Sequence, residues 1–200
     1  MKVLITGGAG FLGSHLAELH LRLGDEVCVI DSLVSGKQEN IASFLSYKSF
    51  RFIQEDVTKC LELDNLVAEA DRIYHMAAIV GVKLVLAHPI EVLSQNIHSC
   101  EKVLQAMAKM QSSARLLIAS SSCVYNDNPV GSLQQEEALL TLSWKQPLQQ
   151  PYTVSKIVNE LMGLSYNQLH CVIVRPFNVV GPCQTGRYGM VVPTFIRQAL

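Results

Sequence analysis

Thr6-Gly7-Gly8-Ala9-Gly10-Phe11-Leu12-Gly13 follows directly on the apolar run Val3-Leu4-Ile5 and passes without a break into a helical pattern. The run predicts a strand over Lys2–Thr6. Leu12, Leu16, Leu19 and Leu23 then recur at spacings of four, three and four, one apolar stripe along a helix, with Gly24 as its C-terminal cap. Glycines between a strand and a helix let the turn be tight and let backbone N–H groups approach an anion. The helix N-terminus adds a partial positive charge. Three spaced glycines alone say little; the strand before them and the helix after them give the motif its meaning. The stretch predicts a pyrophosphate cradle in the first turn of a βαβ unit.

Working outward, the same alternation continues to the end of the chain. Further strands are predicted over Glu26–Asp31, Phe50–Glu55, Arg72–Met76, Leu116–Ser120 and Cys171–Arg175, with helical stretches between them. The helix after Pro89 carries Leu93, Ile97, Cys100, Leu104 and Met107 at helical spacing. Right-handed crossovers joining six such strands give an α/β fold, a doubly wound parallel sheet of Rossmann type with helices on both faces. Asp31 ends the second strand at about the 20-residue distance where an acid meets an adenosine ribose. Its carboxylate would accept the ribose hydroxyls and repel a 2′-phosphate, which favours NAD over NADP. Lys37 is read as a solvated surface lysine. The segment Asn126 to Gln150 is polar, with two prolines and Gly131, and predicts a long loop with a short helix; Trp144 within it needs only partial burial.

Bulk composition narrows the function classes. Hydrophobic residues make up 49% and charged residues 16% of 200, enough to bury a substantial core. Net charge is -1 and no basic stripe appears, so nothing recruits nucleic acid. The longest apolar runs, such as Val80 to Ala87, are too short to span a bilayer, and charged residues and histidines interrupt the N-terminal apolar region before it reads as a signal peptide. Cys28, Cys60, Cys100, Cys123, Cys171 and Cys183 are scattered without a CxxC pair, as expected of reduced thiols in a cytoplasmic protein. No metal-ligand spacing is present, and no metal is expected.

Tyr152 and Lys156 stand four apart, so on a helix both project from one face. A tyrosine is too weak a base at its usual pKa near 10, and an ammonium beside it would lower that value. The fifth strand runs into Ser120-Ser121-Ser122-Cys123-Val124-Tyr125, bringing hydroxyls to the carboxyl edge of the sheet, where such folds bind ligands.

Together these motifs make the chain similar to the extended short-chain dehydrogenase/reductase family, whose members act on nucleotide sugars. The match runs in order through Gly7, Gly10 and Gly13; Asp31; Asp56-Val57 after strand three; His75-Met76-Ala77-Ala78 after strand four; Asn96; Ser121; Tyr152 and Lys156; and Arg175-Pro176-Phe177-Asn178-Val179-Val180-Gly181-Pro182. The resemblance implies an NAD site formed by Gly7, Gly10, Phe11, Leu12, Gly13, Asp31, Ser32, Ser35, Gly36, Asp56, Val57, Ala77, Ala78, Asn96, Ser120, Tyr152, Lys156 and Pro176. It implies substrate contacts from Ser121, Ser122, Cys123 and Asn178. Tyr152 would take a proton from a sugar hydroxyl as hydride leaves for the nicotinamide, Ser121 would hold the same oxygen, and Lys156 would hold the nicotinamide ribose.

Departures from the family pattern separate its reactions. Dehydrating and decarboxylating members place a glutamate two residues after the catalytic Ser/Thr; here Cys123 stands there, with Ser122 before it. A thiol of pKa about 8.5 does not replace a carboxylate in that proton chemistry. Epimerisation through a keto intermediate, at C4, is therefore expected ahead of dehydration, decarboxylation or reduction. The GDP-fucose synthases use a cysteine at this position as an acid/base, but their partner histidine is replaced by Met190, so Cys123 is read as a pocket-wall thiol. His75 is read as a packed histidine and His170 as a surface residue.

The family continues into a substrate-binding lobe after the Arg175–Pro182 stretch, and this chain stops at Leu200 inside a helix predicted from near Val192. Residues 1–175 are thus expected to form the NAD-binding domain and 176–200 the start of a truncated lobe, so that turnover by this chain is weak. A non-catalytic NAD-binding module is the rival from another class. A homodimer is expected through helices around Asn96–Met110 and Tyr152–Gln168. Their apolar residues Val103, Met110, Ile157, Met162 and Leu164 exceed what one buried face needs.

Overall fold

Val3, Leu4 and Ile5 are buried on both sides of their strand, as required of a strand covered by helices above and below. A computed structural model describes residues 1–125, 135–137, 140, 142, 147–186 and 190–200. Trp144 and most of the Asn126–Gln150 segment lie outside the described residues, apart from a 3₁₀ turn at Pro147–Gln149 and single positions before it.

Among the described residues, six strands form one parallel sheet. They are β1 (Lys2–Thr6), β2 (Glu26–Ile30), β3 (Phe50–Ile53), β4 (Arg72–His75), β5 (Arg115–Ala119) and β6 (His170–Val174). The spatial order is β3-β2-β1-β4-β5-β6. The order reverses between β1 and β4, the switch point at which open α/β sheets leave a crevice. Thr6 pairs with Ile30 on one side and His75 on the other, so three strand ends finish level at that crevice. Predicted strand ends ran one residue further at Asp31, Met76 and Ser120. The ladder does continue there, through Asp31 N–H to Ile53 O, Met76 N–H to Thr6 O and Ser120 N–H to Val174 O.

The helices are α1 (Phe11–Arg22), α2 (Leu63–Glu69), α3 (Val82–Ala87), α4 (Pro89–Lys109), α5 (Gln150–Ser165) and α6 (Val191–Ala199). Two apolar layers sandwich the sheet. Val3, Ile5, Ala17, Val27 and Val29 form one with α1, and Leu4, Ile73, Leu104, Met107, Leu116 and Ile118 form the other with α2 and α4.

Two expectations need correction. On α1 the buried face is Gly13, Ser14, Ala17 and His20, while Leu19 is 52% and Leu23 65% exposed. The glycine turn brings the first turns of this helix so close to the sheet that the small residues Gly13, Ser14 and Ala17 face it there. Gly24 does cap the helix, at φ +80. On α4, Cys100, Leu104 and Met107 are buried as predicted, but so are Val92, Asn96, Ser99, Val103 and Ala106. The face is wider than one stripe because α4 packs against both the sheet and α5. Val103 therefore belongs to the chain's own core and not to a partner surface.

Candidate active site

The phosphate turn is built so that nothing larger than glycine fits. Gly7 has φ +73, and a Cβ on it would lie 2.6 Å from Ala77 N. A Cβ on Gly13 would collide with the Gly7 carbonyl and come within 2.7 Å of Gly8 Cα. Gly10 N–H donates to Gly7 O at 3.2 Å, and Ser14 N–H to Gly10 O at 3.0 Å, turning the chain into α1. The first N–H groups of this helix face the cavity through Phe11, Leu12 and Gly13. A backbone cradle ending at the N-terminus of a 12-residue helix fits a dinucleotide pyrophosphate.

Asp31 is held at the end of β2 by two backbone donors, Ala9 N–H to Oδ2 at 2.9 Å and Leu33 N–H to Oδ1 at 2.8 Å. Burial raises its pKa above the ordinary carboxylate value, and these two hydrogen bonds oppose the rise. Gly36 packs beneath it: a Cβ there would lie 2.8 Å from Asp31 Oδ1. Gly36 thus supports the carboxylate from between the cavity residues Ser35 and Lys37. Asn40, which sequence reasoning missed, donates to Ala9 O at 2.8 Å and lines the same end.

A cavity of about 760 Å³ runs along the carboxyl edge of the sheet. Gly7, Gly10, Phe11, Leu12, Gly13, Asp31, Ser32, Ser35, Asp56, Val57, Ala77, Ala78, Asn96, Ser120, Tyr152, Lys156 and Pro176 all line it, as do Ser121 and Asn178. Ser122 and Cys123 do not. They lie in the 3₁₀ turn Ser122–Tyr125 that follows Ser121. Ser122 N–H donates to Pro176 O at 3.0 Å, and Cys123 is exposed. Gln95 and Ser99 were missed although they flank Asn96 on α4. Gln95 donates to Asp56 Oδ2 at 2.6 Å, and Ser99 lines the cavity one helical turn beyond Asn96.

Pro151 in the first turn of α5, where its missing N–H costs nothing, places Tyr152 at the start of a helix whose next turns carry Lys156 and Glu160. The Ser121 hydroxyl stands close enough to the Tyr152 phenol to favour its ionised form. Lys156 is 3% exposed and donates to Ala119 O at 2.7 Å, with Nζ 5.7 Å from the Tyr152 ring centre. Burial pushes the Tyr152 phenol up to about 12; the Ser121 hydroxyl opposes the rise and the nearby Cys123 adds to it. Burial pushes Lys156 down to about 8. The expected lowering of Tyr152 by Lys156 is thus outweighed by burial in the protein alone, because the ammonium is directed to the Ala119 carbonyl. Asn96 accepts Ile79 N–H at 2.7 Å and donates to Ile79 O at 3.1 Å, which fixes the segment after β4. His75 is buried, 2.8 Å from Thr6 Oγ1, and burial lowers it to about 3, so it is a packed neutral ring and not a base.

The sequence pattern of the NAD dependent epimerase/dehydratase family matches residues 3–200. The chain belongs to that family. The Bacillus cytotoxicus UDP-N-acetyl-alpha-D-glucosaminuronate decarboxylase is 33% identical over 202 residues, covering 100% of this chain and 61% of that protein. The Xenopus tropicalis UDP-glucuronic acid decarboxylase 1 is 36% identical, covering 100% of this chain and 46% of that protein. The solved structure of Bacillus cereus UDP-glucuronic acid 4-epimerase, in complex with UDP-glucuronic acid and NAD, matches with a TM-score of 0.86 at 30% identity over 100% of this chain and 63% of that one. The chain thus spans between about half and two thirds of the length of these relatives. Within the family, the Rossmann-type sheet and the glycine cradle are the shared frame.

Proposed function

We propose that residues 1–175 form the NAD-binding domain, and 176–200 the beginning of the substrate-binding lobe, of a nucleotide-sugar epimerase working at C4 through a keto intermediate. The observation that carries this reading is the meeting of Ser121, Tyr152 and Lys156 in one cavity with the dinucleotide cradle. When bound, oxidised NAD supplies the hydride acceptor and a positive charge. Tyr152 takes the hydroxyl proton from the carbon that loses hydride. Ser121 donates to the same oxygen as it becomes a carbonyl, and Lys156, anchored on Ala119, lends positive charge to the forming phenolate. Epimerisation follows when the ketone accepts hydride on its other face and Tyr152 returns the proton.

The distribution of acids supports redox chemistry without elimination. The described carboxylates that line the cavity, Asp31, Glu55 and Asp56, follow β2 and β3. Tyr152 and Ser121 face the end of β5, three strands from β2 and roughly 14 Å across the sheet. A second reading, decarboxylation, is favoured by the names of the two decarboxylase relatives. A C4 ketone is β to the carboxylate of a hexuronate, so carbon dioxide can leave with its bonding pair taken up by that ketone as an enolate; the enolate then takes a proton at C5, and the C4 ketone takes back the hydride and a proton. Both readings point to a UDP-hexuronate as substrate class. The test is incubation of the chain with NAD and UDP-glucuronate, with separation of the products. The 4-epimer supports epimerisation, and a pentose with carbon dioxide supports the second reading. The absence of both products and of reduced nicotinamide would sink the hydride-transfer mechanism.

Asp31 makes NAD the preferred dinucleotide, since its anchored carboxylate meets a free 2′-hydroxyl better than a phosphate. Calorimetry should show NADP binding at least about tenfold more weakly, a difference of about 1.4 kcal/mol. Equal affinities would refute this role. A homodimer is also proposed, through α5, where Leu161 is 59% and Leu164 64% exposed.

A further inference from the structure

Arg175 follows β6 and reaches three other segments at once. Its Nε donates to Glu160 Oε1 at 2.9 Å and its Nη2 to Glu160 Oε2 at 2.7 Å, a two-pronged pair on a carboxylate that is 4% exposed. Its Nη1 donates to the Tyr125 hydroxyl at 3.0 Å and to the Glu136 carbonyl at 3.0 Å. The guanidinium lies 4.9 Å from the Tyr125 ring centre, and that ring stacks on Phe177, a cavity residue. The Glu160 carboxylate also accepts a hydrogen bond from the Ser120 hydroxyl.

One ion pair therefore joins the end of β5, the 3₁₀ turn behind it, the segment at Glu136, the helix bearing Tyr152 and Lys156, and the end of β6. A buried ion pair is a poor stabiliser, because desolvation offsets most of its attraction; a register between segments is what it supplies well. Glu160 lies one turn beyond Lys156, and Ser120 directly precedes Ser121. The carboxylate thus links the Ser121 segment to the helix bearing Tyr152.

We propose that Arg175 and Glu160 are the positioning pair of this site: they seat Ser121 against Tyr152 and couple that seating to the Glu136 segment. The proposal rests on the hydride-transfer reading above. Neither residue touches the reacting oxygen, so their effect should fall on the rate of hydride transfer and not on NAD affinity.

The test uses the full chain with Glu160→Gln, which keeps shape and removes charge, Glu160→Asp, which draws the carboxylate back, and Arg175→Lys, which keeps charge and removes the fork. Three quantities are read: reduced nicotinamide formed in a single turnover with UDP-glucuronate, NAD affinity by calorimetry, and hydrogen exchange of the 119–125 peptide against one covering β1 and the glycine turn. We expect hydride transfer to slow by about 10- to 100-fold, as for a displacement near 1 Å of a positioned group. NAD affinity should stay within about twofold, and exchange should quicken in the 119–125 peptide alone. Unchanged exchange there with an unchanged rate overturns the proposal. So does faster exchange throughout with loss of NAD affinity, which would make the pair an ordinary stabiliser of the fold. Should the parent chain form no reduced nicotinamide, the hydride-transfer reading fails, and the exchange pattern alone decides whether the pair seats the Ser121 segment.

Discussion

The phosphate and adenosine end of the cavity is made of different material from its sugar end. At the first, backbone N–H groups, glycines and an anchored carboxylate follow strands whose last side chains are buried: Ile5 and Val29 are at 0% exposure and Ile30 at 1%. At the second, function falls to side chains at the ends of β5 and β6 and on α5. Beyond them, none of the described residues from Arg175 to Leu200 is buried. Phe177 and Phe195 are 60% and 64% exposed, and α6 buries none of its residues. A dinucleotide is held by what the sheet itself provides. The sugar nucleotide proposed above would meet reactive groups flanked by exposed residues. The expected consequence is good NAD binding with weak sugar turnover, because binding energy remote from the reacting carbon normally supplies much of the orientation.

The largest effect that tests this division is Tyr152→Phe. The substitution removes one hydroxyl from the sugar end and nothing from the cradle. Hydride transfer should fall by about 10²- to 10⁴-fold, the range for loss of a general acid–base group. NAD affinity by calorimetry should stay within about twofold. A parallel loss of affinity would mean that the two ends are not separable.

Lys156 sits at the junction, and its cost can be measured as stability. Its folded pKa is about 8 against an ordinary 10.5, so the charged form is penalised in the folded protein. That penalty is complete below pH 8 and fades between pH 8 and 10.5, where the folded protein loses the proton before the unfolded chain does. Lys156→Met should therefore raise stability at pH 7. The shift corresponds to at most about 3 kcal/mol, reduced by about 1 for the lost hydrogen bond to Ala119. A gain of roughly 1–2 kcal/mol moves Tm by about 2–4 °C per kcal/mol in a chain of this size. The variant's advantage over the parent should shrink between pH 8 and 10.5. Melting curves across that range decide it; a variant less stable than the parent at pH 7 would show that Lys156 is a net structural asset.

The same division describes what could be read from sequence. The strands were legible because parallel strands buried on both faces are near-continuous apolar runs, and the glycine turn because its geometry admits almost nothing else. The row Tyr152–Lys156 was legible from helical spacing only in the company of the motifs around it. What failed depended on how closely elements approach. The leucine stripe of α1 looked like its core face, yet the tight turn at Gly13 sets Ala17 and its small neighbours against the sheet. Burial, which raises the Tyr152 phenol in the protein alone, is not visible in helical spacing. Glu160 stands four residues after Lys156, a visible signal, but its partner Arg175 becomes a neighbour only once β6 is laid beside β5.

The smallest expected effect is on α6, and it is the sharpest test of the contrast because almost nothing should happen. Phe195 and Ile196 are 64% and 56% exposed, so replacing both by serine removes little buried apolar surface from the folded chain. At about 25 cal/mol per Å² of area withdrawn from water, side chains that stay mostly wet contribute little to folding. Phe195→Ser with Ile196→Ser should leave Tm within about 2 °C, since surface changes away from special features stay within about 0.5 kcal/mol. NAD affinity should not move, because the cradle lies on the first turn of the sheet. Light scattering should return the mass of two chains for parent and variant alike if Leu161 and Leu164 on α5 form the dimer surface. A variant reduced to a single-chain mass would place the contact on α6 instead. A marked fall in Tm without a change of mass would mean that α6 packs more firmly than its exposure implies, and that the sugar end is less open than the comparison holds.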